Sequence, residues 1–287
     1  MVLRGSNINP NHDNEFIKRL LAGGTAGATA RTVVAPVDRI KIMLQTSLLK
    51  GRQVNSLTQS MKIIYQENGI MSFWKGNATN CSRVIPHTAV QFTAYQFFKD
   101  NIAEISNSPT ISDRLLSGAF AGATAATITH PLDVIRIRLQ TEKNVHNVAS
   151  AFKHILNEGK GNPKNFYKGY IPTIFSLGPF IGINFATYDL LNSNIVIADS
   201  VPINSLILGG VSGFIAQSFC YPLDTIRRRM QVSGNNYSSY INACSKILHT
   251  EGTFGFYRGF LANIIKVVPN NGIRFGVFEL MRNYVSF

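Results

Sequence analysis

A charged motif of one acid and one base occurs three times along the chain. In each copy a proline precedes an aspartate by two positions, and a lysine or arginine lies three positions after the aspartate. The copies are Pro36-Val37-Asp38-Arg39-Ile40-Lys41, Pro131-Leu132-Asp133-Val134-Ile135-Arg136 and Pro222-Leu223-Asp224-Thr225-Ile226-Arg227. A lone pair at this spacing is typical of a solvated helix face, whereas three equivalent copies predict a ring in which each acid pairs with a neighbouring base. Because desolvation offsets most of the attraction in such pairs, a ring of them suits a gate with two states of similar free energy.

Two further elements repeat in the same register. An aromatic-basic-glycine triplet follows each charged motif, as Trp74-Lys75-Gly76, Tyr167-Lys168-Gly169 and Tyr257-Arg258-Gly259. A pair of glycines four residues apart precedes each motif, at Gly23 and Gly27, Gly118 and Gly122, and Gly209 and Gly213. This spacing permits close approach of helices in lipid, so we interpret these glycines as packing positions. Three elements in one register predict three repeats, over residues 14–105, 110–198 and 203–287.

Each repeat is expected to contain two long apolar helices that position the charged motif. The stretches 169–188 and 200–223 carry no formal charge and are long enough to cross the hydrocarbon core of a bilayer. The motif proline lies inside the first helix of each repeat, where it kinks the backbone. A short amphipathic helix, Leu57 to Gln66 in the first repeat, lies in the polar loop between the two. The sequence therefore predicts an all-α membrane protein with six transmembrane helices in three repeats and short helices in the loops.

Composition excludes several other classes of protein. The net charge is +13, yet only 15% of the residues are charged, against about 25% in a soluble domain. The three scattered cysteines make neither a disulfide framework nor a metal site. No phosphate-binding glycine loop, nucleophile motif or metal-ligand cluster is present, so we expect neither an enzyme nor a cofactor. A basic nucleic-acid-binding protein is the alternative from another class, and we disfavour it because much of the charge lies in loops and at helix ends.

Basic residues interrupt three of the apolar segments and predict an anionic substrate. Arg31, Arg83 and Lys266 lie within these segments without a matching unpaired acid. Charges inside membrane spans are costly and usually face a protein interior or an aqueous cavity. Because Coulomb attraction is strong where water is limited, and because arginine binds phosphate bidentately, we expect a multiply anionic ligand. Arg274, about two turns after Lys266, is a further candidate cation.

Polar and small residues near these cations complete the predicted substrate site. Asn80 and Asn270 are candidate polar contacts in the second and sixth helices. Ser176 and Leu177 belong to an uncharged segment of the fourth helix, which suits a planar base such as adenine better than a keto acid or a basic amino acid.

The charged motif followed by the aromatic-basic-glycine triplet resembles the mitochondrial carrier family over essentially the whole chain. The resemblance implies a pseudo-threefold transporter of the inner mitochondrial membrane, with its short loop helices on the matrix side, that works by alternating access. We expect the lipid bilayer, cardiolipin included, as a partner and no nucleic acid. Because one chain with three repeats completes the ring, a monomer suffices. Residues 1–15 have neither signal-peptide nor transit-peptide character, so any organelle address is expected to be internal.

The resemblance assigns residues to two gates. The matrix gate would pair Asp38 with Arg136, Asp133 with Arg227 and Asp224 with Lys41, braced by Gln45, Gln140 and Gln231. The cytoplasmic gate would comprise Gln96, Lys99, Asp189, Asn192, Glu279 and Arg282. Because Gln96 and Asn192 are neutral where the family has charged residues, we expect a weaker cytoplasmic than matrix gate.

Finer resemblance concerns the substrate. The segments around Arg31 and Arg83, and the run from Arg227 to Gln231, are most similar to the coenzyme A and adenine-nucleotide branch of the family. They imply exchange transport of an anionic, nucleotide-like cofactor, with coenzyme A, ADP, ATP and adenosine bisphosphate left open. Thiamine pyrophosphate or another anionic metabolite is the alternative on the same fold, and a proton leak pathway is another.

Overall fold

The regular structure of the chain is helical. The computed structural model describes residues 10–51, 54, 56–105, 111–142, 144–194, 201–232, 237–266, 269–270 and 273, and these contain no β-strand. The helices are α1 (Pro10–Thr46), α2 (Leu57–Asn68), α3 (Asn77–Ser82), α4 (Val84–Ile105), α5 (Ile111–Thr141), α6 (Val148–Glu158), α7 (Tyr170–Asn194), α8 (Val201–Gln231), α9 (Tyr240–Glu251) and α10 (260–266). Short 3₁₀ segments at Ser47–Lys50, Gly69–Trp74, Pro163–Tyr167 and Thr253–Tyr257 connect them.

The first helix of each repeat is long and contains the motif proline. Helices α1, α5 and α8 have 37, 31 and 31 residues and continue through Pro36, Pro131 and Pro222. At 1.5 Å per residue, 31 residues extend over about 46 Å, which exceeds the hydrocarbon core of a bilayer. The charged motif directly follows each proline, so all three motifs lie in the last third of their helices.

The short helices α2, α6 and α9 follow the pattern predicted for the loops. Each begins at a polar N-cap, and the side chains of Ser56, Asn147 and Ser239 accept hydrogen bonds from backbone N–H groups one turn later. Each has one buried face, on which Ile64, Ile155 and Ile247 are fully buried. These isoleucines pack against the ends of the long helices and fix the loops to them.

The second helix of a repeat packs along the first helix of the next repeat, so that α4 lies against α5 and α7 against α8. Small residues allow this approach at Ala121 and Ala125, which are fully buried. The packing interpretation of the repeated glycines also holds at Gly27, where an added Cβ would lie 3.2 Å from Cγ1 of Val84. At Gly118, Gly122 and Gly209 it stays a prediction, because no described atom outside their own helix backbone lies within 4 Å of an added Cβ. These glycines lie toward the helix starts, away from the charged motifs.

Large apolar side chains are exposed on the surface of α7. Within the described residues, the segment Pro163–Ser193 is long and apolar enough to cross a membrane. Phe175, Phe185 and Leu190 on this segment are exposed, as expected of side chains that face acyl chains.

Candidate functional site

The three charged motifs meet in one ring between the long helices. Its members are Asp38 and Lys41 on α1, Asp133 and Arg136 on α5, and Asp224 and Arg227 on α8, hereafter the charged ring. Nζ of Lys41 lies 2.7 Å from Oδ2 of Asp224, Nη2 of Arg227 lies 2.5 Å from Oδ2 of Asp133, and Arg136 contacts Asp38. Each pair joins two different helices, so the three contacts close a circle through α1, α5 and α8. The ring has the pairing that family resemblance implied for the matrix gate.

The glutamines predicted to brace these pairs differ in what they contact. Nε2 of Gln231 donates to Oδ2 of Asp133 at 3.0 Å, and Nε2 of Gln45 lies 3.4 Å from Oδ2 of Asp224. Gln140 is buried, but its Oε1 has no hydrogen-bond partner among the described residues. The structure thus brings two of the three glutamines to an acid of the charged ring.

The triplet glycines lie against the backbone of the charged ring. Gly169 has φ +76°, and a Cβ at this position would lie 2.9 Å from the carbonyl oxygen of Arg227. Gly76 and Gly259 have φ +80° and make equivalent approaches to the carbonyl oxygens of Arg136 and Lys41. Only glycine combines this backbone conformation with such a close approach. The triplets therefore hold the start of each second helix against the basic residue of one ion pair in the charged ring.

Arg228 is a site residue to which sequence analysis assigned no role. Its Nη1 donates to Oδ2 of Asp133 at 3.0 Å, and its Nε lies 3.7 Å from Oδ1 of Asp224, so it contacts two acids of the charged ring. The sequence did contain a signal, because the positions equivalent to Arg228 in the other two repeats are Ile42 and Ile137. A base at one of three otherwise apolar positions breaks the threefold pattern.

Next to the charged ring lies a polar cavity of about 250 Å³, hereafter the central cavity. Its lining comprises Arg31, Val34, Asp38, Lys41, Ile42, Asn80, Arg83, Arg136, Arg228, Lys266 and Asn270. Arg31, Asn80, Arg83, Lys266 and Asn270, all predicted as substrate contacts, are therefore brought together. Ser176 and Leu177 are not among the described residues that line it. Arg274 lies outside the residues that the structure describes.

Arg83 lies at a break in the second helix. It separates α3 from α4 because Pro86, three residues later, has no N–H for the carbonyl of Ser82 and its ring clashes there. Its guanidinium lines the central cavity, its Nε is buried, and no described residue forms a hydrogen bond or ion pair with this side chain. A mostly buried guanidinium without a partner is costly, which favours an anionic ligand at this position.

Arg31 and Lys266 have protein partners. Nη1 of Arg31 donates to the carbonyl oxygen of Asn80 at 3.2 Å. Nζ of Lys266 lies 2.9 Å from Oδ1 of Asp38, whose other oxygen Arg136 contacts. Lys266 therefore shares with Arg136 an acid of the charged ring, because the start of the sixth helix packs beside the charged motif of the first. A neighbouring residue, Asn263, accepts a hydrogen bond from Lys41 at 2.9 Å.

The opposite end of the helices carries the predicted cytoplasmic gate. Gln96, Lys99, Asp189 and Asn192 are exposed there, and none of them forms an ion pair with a described residue. Glu279 and Arg282, the other two predicted members, lie outside the described residues. The predicted weakness of this gate thus stays a prediction.

Comparison with known proteins places the chain in a family. The family model of the mitochondrial carrier protein matches residues 12–106, 107–197 and 198–287. The chain is 36% identical to the thylakoid ADP,ATP carrier protein of Arabidopsis thaliana over 92% of its own length and 65% of that protein's. It is 37% identical to the mitochondrial adenyl nucleotide antiporter of Mus musculus, over 93% of the chain but 58% of the relative. An uncharacterized mitochondrial carrier of Saccharomyces cerevisiae is 33% identical, with 95% of each protein covered.

These matches confirm the resemblance to the adenine-nucleotide branch, the all-α repeat fold and the assignment to transporters rather than enzymes. Some relatives are chloroplastic and others mitochondrial, so the family does not by itself fix the compartment. Three matched repeats, which together cover every residue from 12 to 287, show that the chain belongs to the mitochondrial carrier family.

Proposed function

We propose that the chain exchanges adenine nucleotides across the inner mitochondrial membrane by alternating access. The observation that carries this proposal is the Arg83 guanidinium, which has no hydrogen-bond or ion-pair partner among the described residues and lies in a cavity lined by five other basic side chains. Such a cavity attracts a polyanion, and arginine recognises phosphate with paired hydrogen bonds. Relatives named as ADP,ATP carriers and as an adenyl nucleotide antiporter support a nucleotide as that polyanion.

The cations divide into those that would hold phosphates and those that would close the gate. We assign the phosphates to Arg83 and Arg31, with Lys266 recruited when it leaves Asp38. Asn80 and Asn270 would contribute polar contacts, because both line the central cavity. Ser176 and Leu177 would offer an uncharged surface to the adenine ring. Arg274 remains a candidate cation of the same site.

Alternating access requires that the charged ring opens on one side when the other side closes. We infer that the ring is the matrix gate, since each of its pairs links two helices and is partly desolvated. On the cytoplasmic side, Asp189 and Lys99 would close against Arg282 and Glu279. One chain with repeats over residues 14–105, 110–198 and 203–287 supplies all three sectors of the ring, so a monomer in the bilayer suffices.

Coenzyme A is the second candidate, because it carries an adenosine bisphosphate that the same cations would recognise. The central cavity of about 250 Å³ lies below the range of about 300–1,000 Å³ usual for ligand pockets. The smaller adenine nucleotides therefore need less expansion of the cavity than coenzyme A does.

Uptake into proteoliposomes tests the proposal. Vesicles preloaded with ADP would be offered labelled ADP, ATP, coenzyme A or thiamine pyrophosphate, each with empty vesicles in parallel. We expect saturable uptake of ADP and ATP that requires internal ADP and is lost in Arg83→Ala. Lys246→Gln, on the exposed surface of α9, serves as the control and should transport normally. Uptake of coenzyme A or thiamine pyrophosphate alone would contradict the nucleotide assignment, and proton conductance without uptake would favour the leak pathway.

A further inference from the structure

We propose that His87 binds a proton together with the nucleotide, so that a proton moves with ATP when the chain exchanges ATP for ADP. The inference rests on the proposed function and adds the proton as a further transported species. His87 lies one turn after Arg83 on α4, and its backbone N–H donates to the carbonyl oxygen of Arg83 at 3.1 Å. The imidazole is therefore close to the cation to which we assign a phosphate.

The imidazole of His87 is oriented by a hydroxyl group on the next long helix. Its Nδ1 lies 3.0 Å from Oγ1 of Thr129 on α5, and Oγ1 in turn lies 2.7 Å from the carbonyl oxygen of Ala125. A hydroxyl group has one hydrogen and a carbonyl oxygen can only accept, so Thr129 donates to Ala125 and accepts from the Nδ1–H of His87. Nδ1 therefore keeps its hydrogen, and Nε2 is the nitrogen that gains or loses a proton.

The titrating nitrogen is available to a proton and a ligand. His87 is half-buried, and no side chain of the described residues forms a hydrogen bond with its Nε2. Its anchor Thr129 is fully buried and lies one turn before Asp133 of the charged ring. The imidazole is thus held against α5 by one nitrogen, while the other nitrogen has no side-chain partner.

The charges around His87 make its protonation depend on a bound anion. Those that act on it are Arg83 on its own helix, Arg31 on α1 and Asp133 on α5. Asp133 already pairs with two arginines of α8, so Arg83 and Arg31 leave the surroundings of His87 positive. A further positive charge on the imidazole needs a negative counterpart, which phosphates at Arg83 and Arg31 would supply. By linkage, the proton and the nucleotide then strengthen each other's binding.

The charge difference between the two nucleotides sets the stoichiometry. ATP has one phosphate group more than ADP and carries one more negative charge. With one proton on His87 while ATP is bound and none while ADP is bound, the loaded protein has the same net charge in both directions of the exchange. The proton enters from the compartment that supplies ATP and leaves with ATP on the other side, so no net charge crosses the membrane.

The test uses proteoliposomes loaded with ADP and the pH-sensitive dye pyranine, to which ATP is added. We expect internal acidification of about one proton for each ATP taken up. We also expect an exchange rate that does not respond to a potassium diffusion potential, because no net charge moves. Acidification that proceeds without external ATP would reveal an uncoupled leak and would overturn the inference.

His87→Asn is the decisive variant, because the Nδ2–H of asparagine can still donate to Thr129 while nothing replaces Nε2. It should lose the acidification, and its accumulation of ATP should depend on the potential by up to about tenfold per roughly 60 mV. Exchange of ADP for ADP should be affected less than exchange of ATP for ADP. His249→Asn removes an exposed histidine of α9 and is the matched control, which should retain the acidification and the insensitivity to potential.

Potential-driven exchange without acidification in the unmodified protein would overturn the inference, whether or not any variant folds. Acidification that persists in His87→Asn would overturn the assignment to His87. Absence of ATP and ADP uptake under every condition would instead overturn the proposed function.

Discussion

The ammonium group of Lys266 lies 2.9 Å from Oδ1 of Asp38, so an ion pair joins residues 228 positions apart. The contact connects a residue predicted to bind substrate with a residue predicted to form the gate. An anion that takes Lys266 away from Asp38 removes one tie between the sixth and first helices. We therefore predict that substrate binding and gate opening are coupled through Lys266, and a double-mutant cycle can measure this coupling.

We predict non-additive effects of Lys266→Gln and Asp38→Asn on thermal stability in detergent. Without substrate, the cycle should show a coupling of about 1 kcal/mol, or about 3 °C of non-additive shift in Tm. With saturating ADP the coupling should fall toward zero, because the phosphates hold Lys266. Equal coupling with and without ADP would mean that the contact is only structural. The cycle of Lys266→Gln with the distant Lys246→Gln should be additive throughout.

The first repeat forms its link between the long and the short helix differently from the other two. Glu158 pairs with Arg138 at 2.6 Å, and Glu251 pairs with Arg229 at 2.8 Å. The equivalent acid, Glu67, pairs at 2.7 Å with Arg39, four positions earlier in the motif, and the usual position holds Met43. Glu67 thus pairs with an arginine that lies one turn earlier on its long helix than the arginines that pair with Glu158 and Glu251.

We therefore predict that Arg39→Val destabilises the protein by up to about 3 kcal/mol, because it removes the buried cation that pairs with Glu67. Adding Met43→Arg should recover part of this loss, because fully buried arginines occupy the equivalent places in the other repeats. Thermal unfolding in detergent checks both variants. Met43→Arg alone should destabilise, as it adds a second cation to an acid that is already paired, and a neutral effect of Arg39→Val would contradict the assigned link.

A third prediction concerns the glycine of the second triplet. Gly169→Ala would combine a left-handed backbone with a Cβ 2.9 Å from the carbonyl oxygen of Arg227. We expect a loss of stability of about 1–3 kcal/mol, together with slower exchange, because the substitution pushes on the backbone of a ring base. Gly161→Ala is the control, since its φ is also positive but no described atom lies within 4 Å of its added Cβ. Similar losses in the two variants would attribute the effect to backbone strain alone.

The fourth prediction tests the asymmetry between the two gates. Gln96→Glu with Asn192→Lys would supply the charges that the family pattern has at these positions. We expect slower exchange, because a stronger cytoplasmic gate stabilises the state in which it is closed, while binding of ADP from the other side persists. Each single substitution should slow exchange less than the pair does. Unchanged rates in proteoliposomes would contradict the weak-gate hypothesis.

The repeated elements made much of the fold predictable. Two of these elements need a specific residue type for a local reason: the triplet glycine has a positive φ, and the N-cap serine or asparagine accepts hydrogen bonds from backbone N–H groups. The helix predicted at Leu57 to Gln66 lies within α2, Leu57–Asn68. The packing role of Gly118, Gly122 and Gly209 could not be predicted from their spacing alone, because contact also depends on which helix face meets a neighbour.

Some features of the candidate site could likewise be predicted from the sequence, and others could not. The sequence by itself determined which acids and bases recur at equivalent positions and which cations interrupt apolar segments. Both features depend only on residue type and on spacing along the chain. Only the tertiary structure decided that Lys266 reaches Asp38, that Arg228 contacts two acids of the charged ring, and that Arg83 has no partner among the described residues. These facts depend on the relative rotation and depth of packed helices, since a shift of one residue turns a side chain by about 100° around its helix.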